Sequence, residues 1–214
     1  MTRVGKSEAD YATLAGAAAA QALDGVDGSA ITAVFLASFA PRELCGFTDP
    51  AAAAMEAIRA RVSLPRVPLH GPFKTGGEAM FRALEHMRAT AGDVLVLGCE
   101  KMTHVDAGTA AGLLAPRVSD AIEERHGATL PALAALATIA YARSARVPTR
   151  AFDEVAVKNH MHAAHNPLAH FQRTVTREEV QASPLVADPL RRHHCAPMSD
   201  GAAACVLSHD CGSV

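Results

Sequence analysis

Asp93-Val-Leu-Val-Leu-Gly-Cys-Glu-Lys-Met-Thr103 is the stretch from which the rest of the chain is read. Four bulky apolar residues in a row, Val94 to Leu97, lie between an acidic residue and a glycine, so they predict a short strand buried on both faces. Such a strand belongs in a layered sheet with helices above and below. Working back, Glu78 to Ala89 has helical spacing of Met80, Leu84 and Met87. A Gly71-Pro-Phe-Lys-Thr-Gly-Gly77 turn leads into it from a short strand at Arg66 to His70. A helix from Pro50 to about Arg61, capped by Thr48 and Asp49, and a strand at Ile31 to Ala37 repeat the unit. The Ala-rich stretch from 8 to 23 predicts one more helix, opened by a Ser7 and Asp10 capping box and ended by Gly25 and Gly28. Strands alternating with helices imply a mostly parallel α/β sheet.

Beyond Thr103 the pattern breaks. Helices are expected at 130 to 144, 151 to 163 and 177 to 182, the last opened by Thr176 with Glu179 in a second capping box. No strand is expected between them. Strand character returns at Ala202 to Ser208, entered through Ser199-Asp-Gly. The expected organisation is therefore an α/β core of residues 1–103 and 196–214, interrupted by a helical loop excursion at 104–195.

Composition narrows the function classes. Half of the 214 residues are hydrophobic, which excludes disorder for most of the chain and leaves one compact domain or two small ones. Twenty basic against twenty-two acidic residues, with only 4% aromatics, argue against nucleic acid as a partner. No apolar run reaches the roughly 18 residues of a membrane span, and Met1-Thr-Arg-Val-Gly-Lys6 lacks the apolar core of a secretory signal, so a cytoplasmic protein is expected. The five cysteines (Cys45, Cys99, Cys195, Cys205, Cys211) show neither disulfide nor metal spacing. His160, His162 and His165 do not supply a closed four-ligand set, nor do His193, His194 and Cys195, so no metal is expected. Glu123-Glu-Arg-His126 is read as a solvated face, and Met102, Met161 and Met198 as gap fillers.

Five local matches, Leu97-Gly-Cys-Glu-Lys-Met-Thr103, Val155-Ala-Val-Lys-Asn-His160, His165-Asn-Pro-Leu-Ala-His-Phe171, Leu185-Val-Ala-Asp-Pro-Leu190 and Cys195-Ala-Pro-Met-Ser-Asp-Gly-Ala-Ala-Ala204, share an order that resembles the first half of a thiolase. Within that superfamily the chain is most similar to the sterol-carrier-protein type and its acetyl-CoA acetyltransferase relatives. The match is close over residues 76 to 208 and looser before. It implies a layered thiolase-like N-terminal half with a mixed, mostly parallel sheet. It also implies a cysteine nucleophile at the N-terminus of a buried helix, where the helix end stabilises a thiolate.

The family motif is Cys, a small residue, Ser or Thr, then Gly. Setting its last two positions on Thr75 and Gly76 puts Phe73 at the nucleophile position, and no cysteine lies between Cys45 and Cys99. The resemblance also implies that the activating histidine, the second catalytic cysteine and the Asn and His that hold the thioester oxygen belong to a C-terminal half beyond this chain. It further implies that a strand found in relatives before the Thr2-Arg3 segment is lost or lies upstream. A half alone would expose a large apolar face, so a partner is expected. The candidates are a separate C-terminal thiolase half, a second copy through the sheet edge, or a small OB-fold subunit.

Lys74, Thr75, Gly76 and Gly77 are read equally as the wall of an acyl-CoA pocket, with amides at a helix start facing substrate oxygens, or as a tight turn that needs glycine. His165 and Asn166 are candidates to reach the same channel, or form a loop shaped by its own hydrogen bonds after a helix ending at Lys158-Asn-His160. Glu100 is taken as a packing hinge, not a base. Three readings stay open. The first is a thiolase-like subunit, inactive alone, that contributes to an acyl-CoA site in a retro-aldol or acyl-transfer heteromer, with a coenzyme A thioester as ligand and no other cofactor. The second is a degenerate scaffold of a thiolase or lipid-transfer complex, and the third a truncated gene product.

Overall fold

Strands β1 (Ile31–Ser38), β2 (Arg66–His70), β3 (Asp93–Glu100) and β6 (Gly201–Leu207) form a four-stranded sheet in the order β2-β1-β3-β6. The computed structural model describes residues 1–46, 54, 56, 66–70, 75–118 and 120–209. β1 runs parallel to β2 and β3, whereas β6 is antiparallel to β3, with Gly98 opposite Ala203 and Glu100 opposite Gly201. The sheet is thus mixed. Beyond β6, Thr2 N–H donates to Ala202 O at 2.8 Å, and Gly5 and Asp200 exchange both backbone bonds.

The near-continuous apolar runs in β1 and β3 are buried because a helix covers each side. Helix α1 (Tyr11–Ala22) lies over β3 and β6, its Tyr11, Leu14, Ala15 and Ala18 packing on Leu36, Leu97, Cys99 and Ala202. Helix α3 (Thr75–Ala89) covers the other face, with Ala79, Ala83 and Met87 against Ala33, Phe35, Val94 and Val96. Between β1 and β2, a short helix α2 (Pro41–Cys45) opens on Pro41 and ends at Gly46 in the left-handed conformation. The expected helix from Pro50 to Arg61 lies outside the described residues except for Ala54 and Glu56, both helical.

Contacts divide the chain into two compact units, one of Met1–Val105 with the stretch from Ser199 onward, the other Asp106–Met198. The second is built from α4 (Ala107–Val118), α5 (Ala121–Arg125), α6 (Leu130–Ala145), α7 (Ala151–Ala164) and α8 (Arg177–Ala182). A small two-stranded sheet, β4 (Leu185–Ala187) with β5 (Leu190–Arg191), follows, and then a 3-10 turn at Arg192–His194. Its small core joins Ala156 and Val157 of α7 to Val175 and Val180.

Several expectations need correction. α1 starts at Tyr11, not at residue 8, because Asp10 caps it by accepting from Thr13 N–H at 2.7 Å, while the Ser7 hydroxyl accepts from Ala9 N–H outside the helix. The helix of Val155-Ala-Val-Lys-Asn-His160 does not end there. It continues to Ala164 and is capped by His165. The excursion does contain strands, β4 and β5, which at three and two residues are too short to show a period. It also contains α4 and α5, which the sequence reading left out. The Thr176–Glu179 capping box is present with both of its hydrogen bonds.

Candidate functional site

The C-terminal edge of the parallel strands is where α/β sheets gather ligands, because strand ends and helix starts converge there. Ala37, Gly98 and Ala203 lie abreast on neighbouring strands at this edge, where their small size leaves space beside them. A cavity of about 460 Å³ opens here, lined among others by Ser38, Thr75, Gly76, Cys99, Glu100 and Asp200. Thr75 is the first residue of α3 and its side chain is buried. The N–H groups of a first helical turn have no partner within the helix, and Gly76 of that turn lines the cavity. In a sheet-and-helix layer of this kind those amides suit a carbonyl or phosphate oxygen.

Two carboxylates hold the cavity wall. Glu100, the last residue of β3, reaches across to the end of β1, where its Oε2 accepts from Phe39 N–H (2.5 Å), Ala40 N–H (3.4 Å) and Ser38 Oγ–H (3.1 Å). Its Oε1 accepts from Lys101 N–H at 3.3 Å. Burial pushes its carboxyl above the ordinary range, and these four donors pull the other way. Asp200 sits one residue before β6, its side chain fully enclosed. Oδ1 accepts from Met102 N–H (2.7 Å) and Thr103 N–H (2.8 Å). Oδ2 accepts from Thr103 Oγ1–H (2.7 Å), Ser7 N–H (3.0 Å) and Lys101 Nζ (3.0 Å). Burial opposes this charge, but the donors of Thr103, Lys101 and Ser7 outweigh it and hold the carboxyl at about 2. Lys101 also donates to Ser7 O at 2.7 Å, so N-terminal segment, β3 end and β6 start are tied at one point.

The thiols near the cavity are not activated. Cys99 is buried, its Sγ–H directed at Tyr11 O (3.5 Å), and burial followed by the Glu100 charge pushes its pKa up. Cys45 directs its Sγ–H at Lys101 O (3.8 Å) and is pushed up to about 11 by burial and Glu100. A nucleophilic cysteine needs the opposite environment, positive and partly open.

The site residues named from sequence divide among three places. Thr75 and Gly76 line the cavity, and Gly77 follows them in the same turn of α3. Phe73 and Lys74 lie outside the described residues. His165 and Asn166 belong to the second unit, where Asn166 Oδ1 accepts from Leu168 N–H at 2.9 Å and shapes the loop after α7. Ser38 and Asp200 were not singled out as site residues. The only signal was that Glu-Lys-Met-Thr and Ser-Asp-Gly, two of the quoted motifs, carry complementary charges at strand ends. No group of three or more His, Cys, Asp or Glu among the described residues could hold a metal, and no described helix is long and apolar enough to cross a membrane.

Comparison with known proteins gives the same fold. A family model described as "Thiolase, N-terminal domain" matches residues 1–210. The acetyl-CoA acetyltransferase of Methanothermobacter thermautotrophicus is 34% identical over 145 residues, which cover 67% of this chain and 37% of that protein. The benzoylsuccinyl-CoA thiolase subunit BbsB of Thauera aromatica is 34% identical over 146 residues, with the same coverage. Human sterol carrier protein 2 is 28% identical over 155 residues, 69% of this chain and 28% of that protein. Among solved structures, the Ltp2-ChsH2(DUF35) aldolase superposes with a TM-score of 0.67 at 24% identity, covering 96% of this chain and 52% of that one. The matched region is thus little more than a third of the first curated relatives.

Proposed function

We propose, from the premise that this chain belongs to the thiolase family through its N-terminal domain, that it is a thiolase-like subunit or half-domain which lines an acyl-CoA site and brings no cysteine nucleophile to it. The observation that carries this reading is the state of the thiols. Cys99 is buried and Cys45 half-buried, both directed at carbonyls and shifted away from the thiolate, while the sequence has Phe73 where the family motif has cysteine. A phenyl ring cannot carry an acyl group.

Without a thioester intermediate, the chemistry that remains for a β-hydroxyacyl-CoA is retro-aldol cleavage. A base removes the proton of the β-hydroxyl, and the Cα–Cβ bond breaks to give a carbonyl compound and a thioester enolate. The α-carbon then takes up a proton. The enolate oxygen is the charge to be stabilised, and the amides of Gly76 and Gly77 in the first turn of α3 are this chain's contribution to it. The base comes from a partner, a C-terminal thiolase half or an OB-fold subunit in the cytosol. The exposed Phe81 (55%) and Leu84 (44%) on the outer side of α3 supply an apolar face for such a partner.

Titration calorimetry with acetyl-CoA and free CoA, on the full chain alone and with its copurifying partner, tests the reading. Saturable heat with acetyl-CoA is expected, with no acyl adduct on peptides covering residues 71–77 by mass spectrometry. An adduct there, or iodoacetamide labelling of that turn, would overturn it. Absence of heat in both samples would leave a non-binding scaffold instead.

A further inference from the structure

Two adjacent histidines grip helix α7 from the 3-10 turn Arg192–His194. His194 Nδ1 accepts from Arg191 N–H at 3.0 Å, so its proton is on Nε2, which donates to Asp153 Oδ1 at 3.0 Å. Both side chains are almost wholly enclosed, at 8% and 6% exposure. Gln181 Nε2–H donates to the other Asp153 oxygen at 2.9 Å and Arg191 donates to Ser183 O at 2.9 Å, which completes the network that ties the turn to α7. Two turns further along α7, on the same face as Asp153, His160 meets His193 edge to face, with ring centroids 5.4 Å apart. The other side of the His160 ring is stacked on Phe171, and its Nδ1 lies 3.2 Å from Arg173 O.

The charges around this contact are unbalanced. His193 faces His160 on α7, Arg173 in the loop before α8 and Arg192 in its own turn, against the single carboxylate of Glu179 on α8. Burial, His160 and Arg173 together hold the His193 imidazole below the ordinary histidine value, so the closed arrangement favours the neutral ring. Protonating His193 would place it beside a second imidazole and two guanidinium groups.

We propose that His193, held against His160, is an acid-release latch: at neutral pH it keeps the 3-10 turn Arg192–His194 on α7, and its protonation in the mildly acidic range frees the turn. The sign follows from linkage. A base held below its free value contributes stability above about pH 6.5, and that contribution is lost as the pH falls. The turn opens locally while α1 and the sheet of the other unit, which contain none of these groups, keep their protection.

Hydrogen exchange of the full chain at pH 7.5 and 5.5, corrected for the intrinsic rate, measures the latch. Protection of residues 190–195 should fall severalfold at pH 5.5, while residues 11–22 are unchanged. His193→Gln and His160→Gln should each abolish most of that difference, and His126→Gln should leave it intact. In the unmodified protein, the ring Cε1–H signal of His193 should titrate below the ordinary histidine value. Equal protection at both pH values, a difference that persists in both glutamine variants, or titration of His193 at or above the ordinary histidine value would each overturn the proposal.

Discussion

At Asp200 one enclosed carboxylate accepts five hydrogen bonds, from Ser7, Lys101, Met102 and twice from Thr103. Its folded pKa of about 2 lies below the free value, so its contribution is present above about pH 4 and is lost as the pH falls toward 2. Asp200→Asn puts an amide N–H against backbone donors, and should cost about 3 kcal/mol at pH 7. That difference from the unmodified protein should shrink by about 2 kcal/mol between pH 4 and pH 2, as measured by denaturant unfolding at each pH. Glu100 runs in the opposite sense, since burial raises its pKa and its contribution declines as the pH rises. The same knot explains why Ser7 does not cap α1. Its N–H is committed to Asp200 from the far end of the chain, so the role falls to Asp10. Both residues carry capping oxygens, and local sequence cannot choose between them.

The longer helices and strands were legible, α4 excepted, where Gly108, Gly112 and Pro116 inside the helix argue against one. β1, β2 and β3 follow from short apolar runs bounded by turn residues, and α8 from its capping box. The inward face of α3 was not. Size suggests Met80, Leu84 and Met87, but the helix buries Ala79, Ala83 and Met87, because the sheet beneath already carries Phe35, Val94 and Val96 and needs small side chains for close approach. The α3–β3 turn shows a similar constraint. Gly92 has φ +125°, and a Cβ there would lie 2.3 Å from Thr32 Cγ2 and 3.1 Å from Ala30 O. Gly92→Ala should therefore destabilise the protein by about 2 kcal/mol, seen as a lowered Tm, while an alanine at the unobstructed Gly112 of α4 should not.

At the scale of the molecule, the thiolase family assignment covers residues 1–210, yet the chain spans a little over a third of its first curated relatives. Phe81 and Leu84 are left in solvent on a helix whose other side is packed, and the proposed assembly would cover them. Sedimentation velocity should find the protein heavier than a single chain. The Phe81→Glu, Leu84→Glu double variant should sediment as a lighter species, its unfolding free energy changed by no more than about 1 kcal/mol because neither side chain is in the core. By itself the sequence determined the α/β order, the family and the want of a cysteine at the α3 turn, because strand periodicity, capping and the presence of a thiol are properties of neighbours along the chain. Only the tertiary structure decided the five donors on Asp200, the row Ala37, Gly98 and Ala203 that opens the cavity, and the histidines that grip α7. Each joins groups far apart in sequence, and strand register and helix rotation, fixed by packing, are what bring them within hydrogen-bond reach.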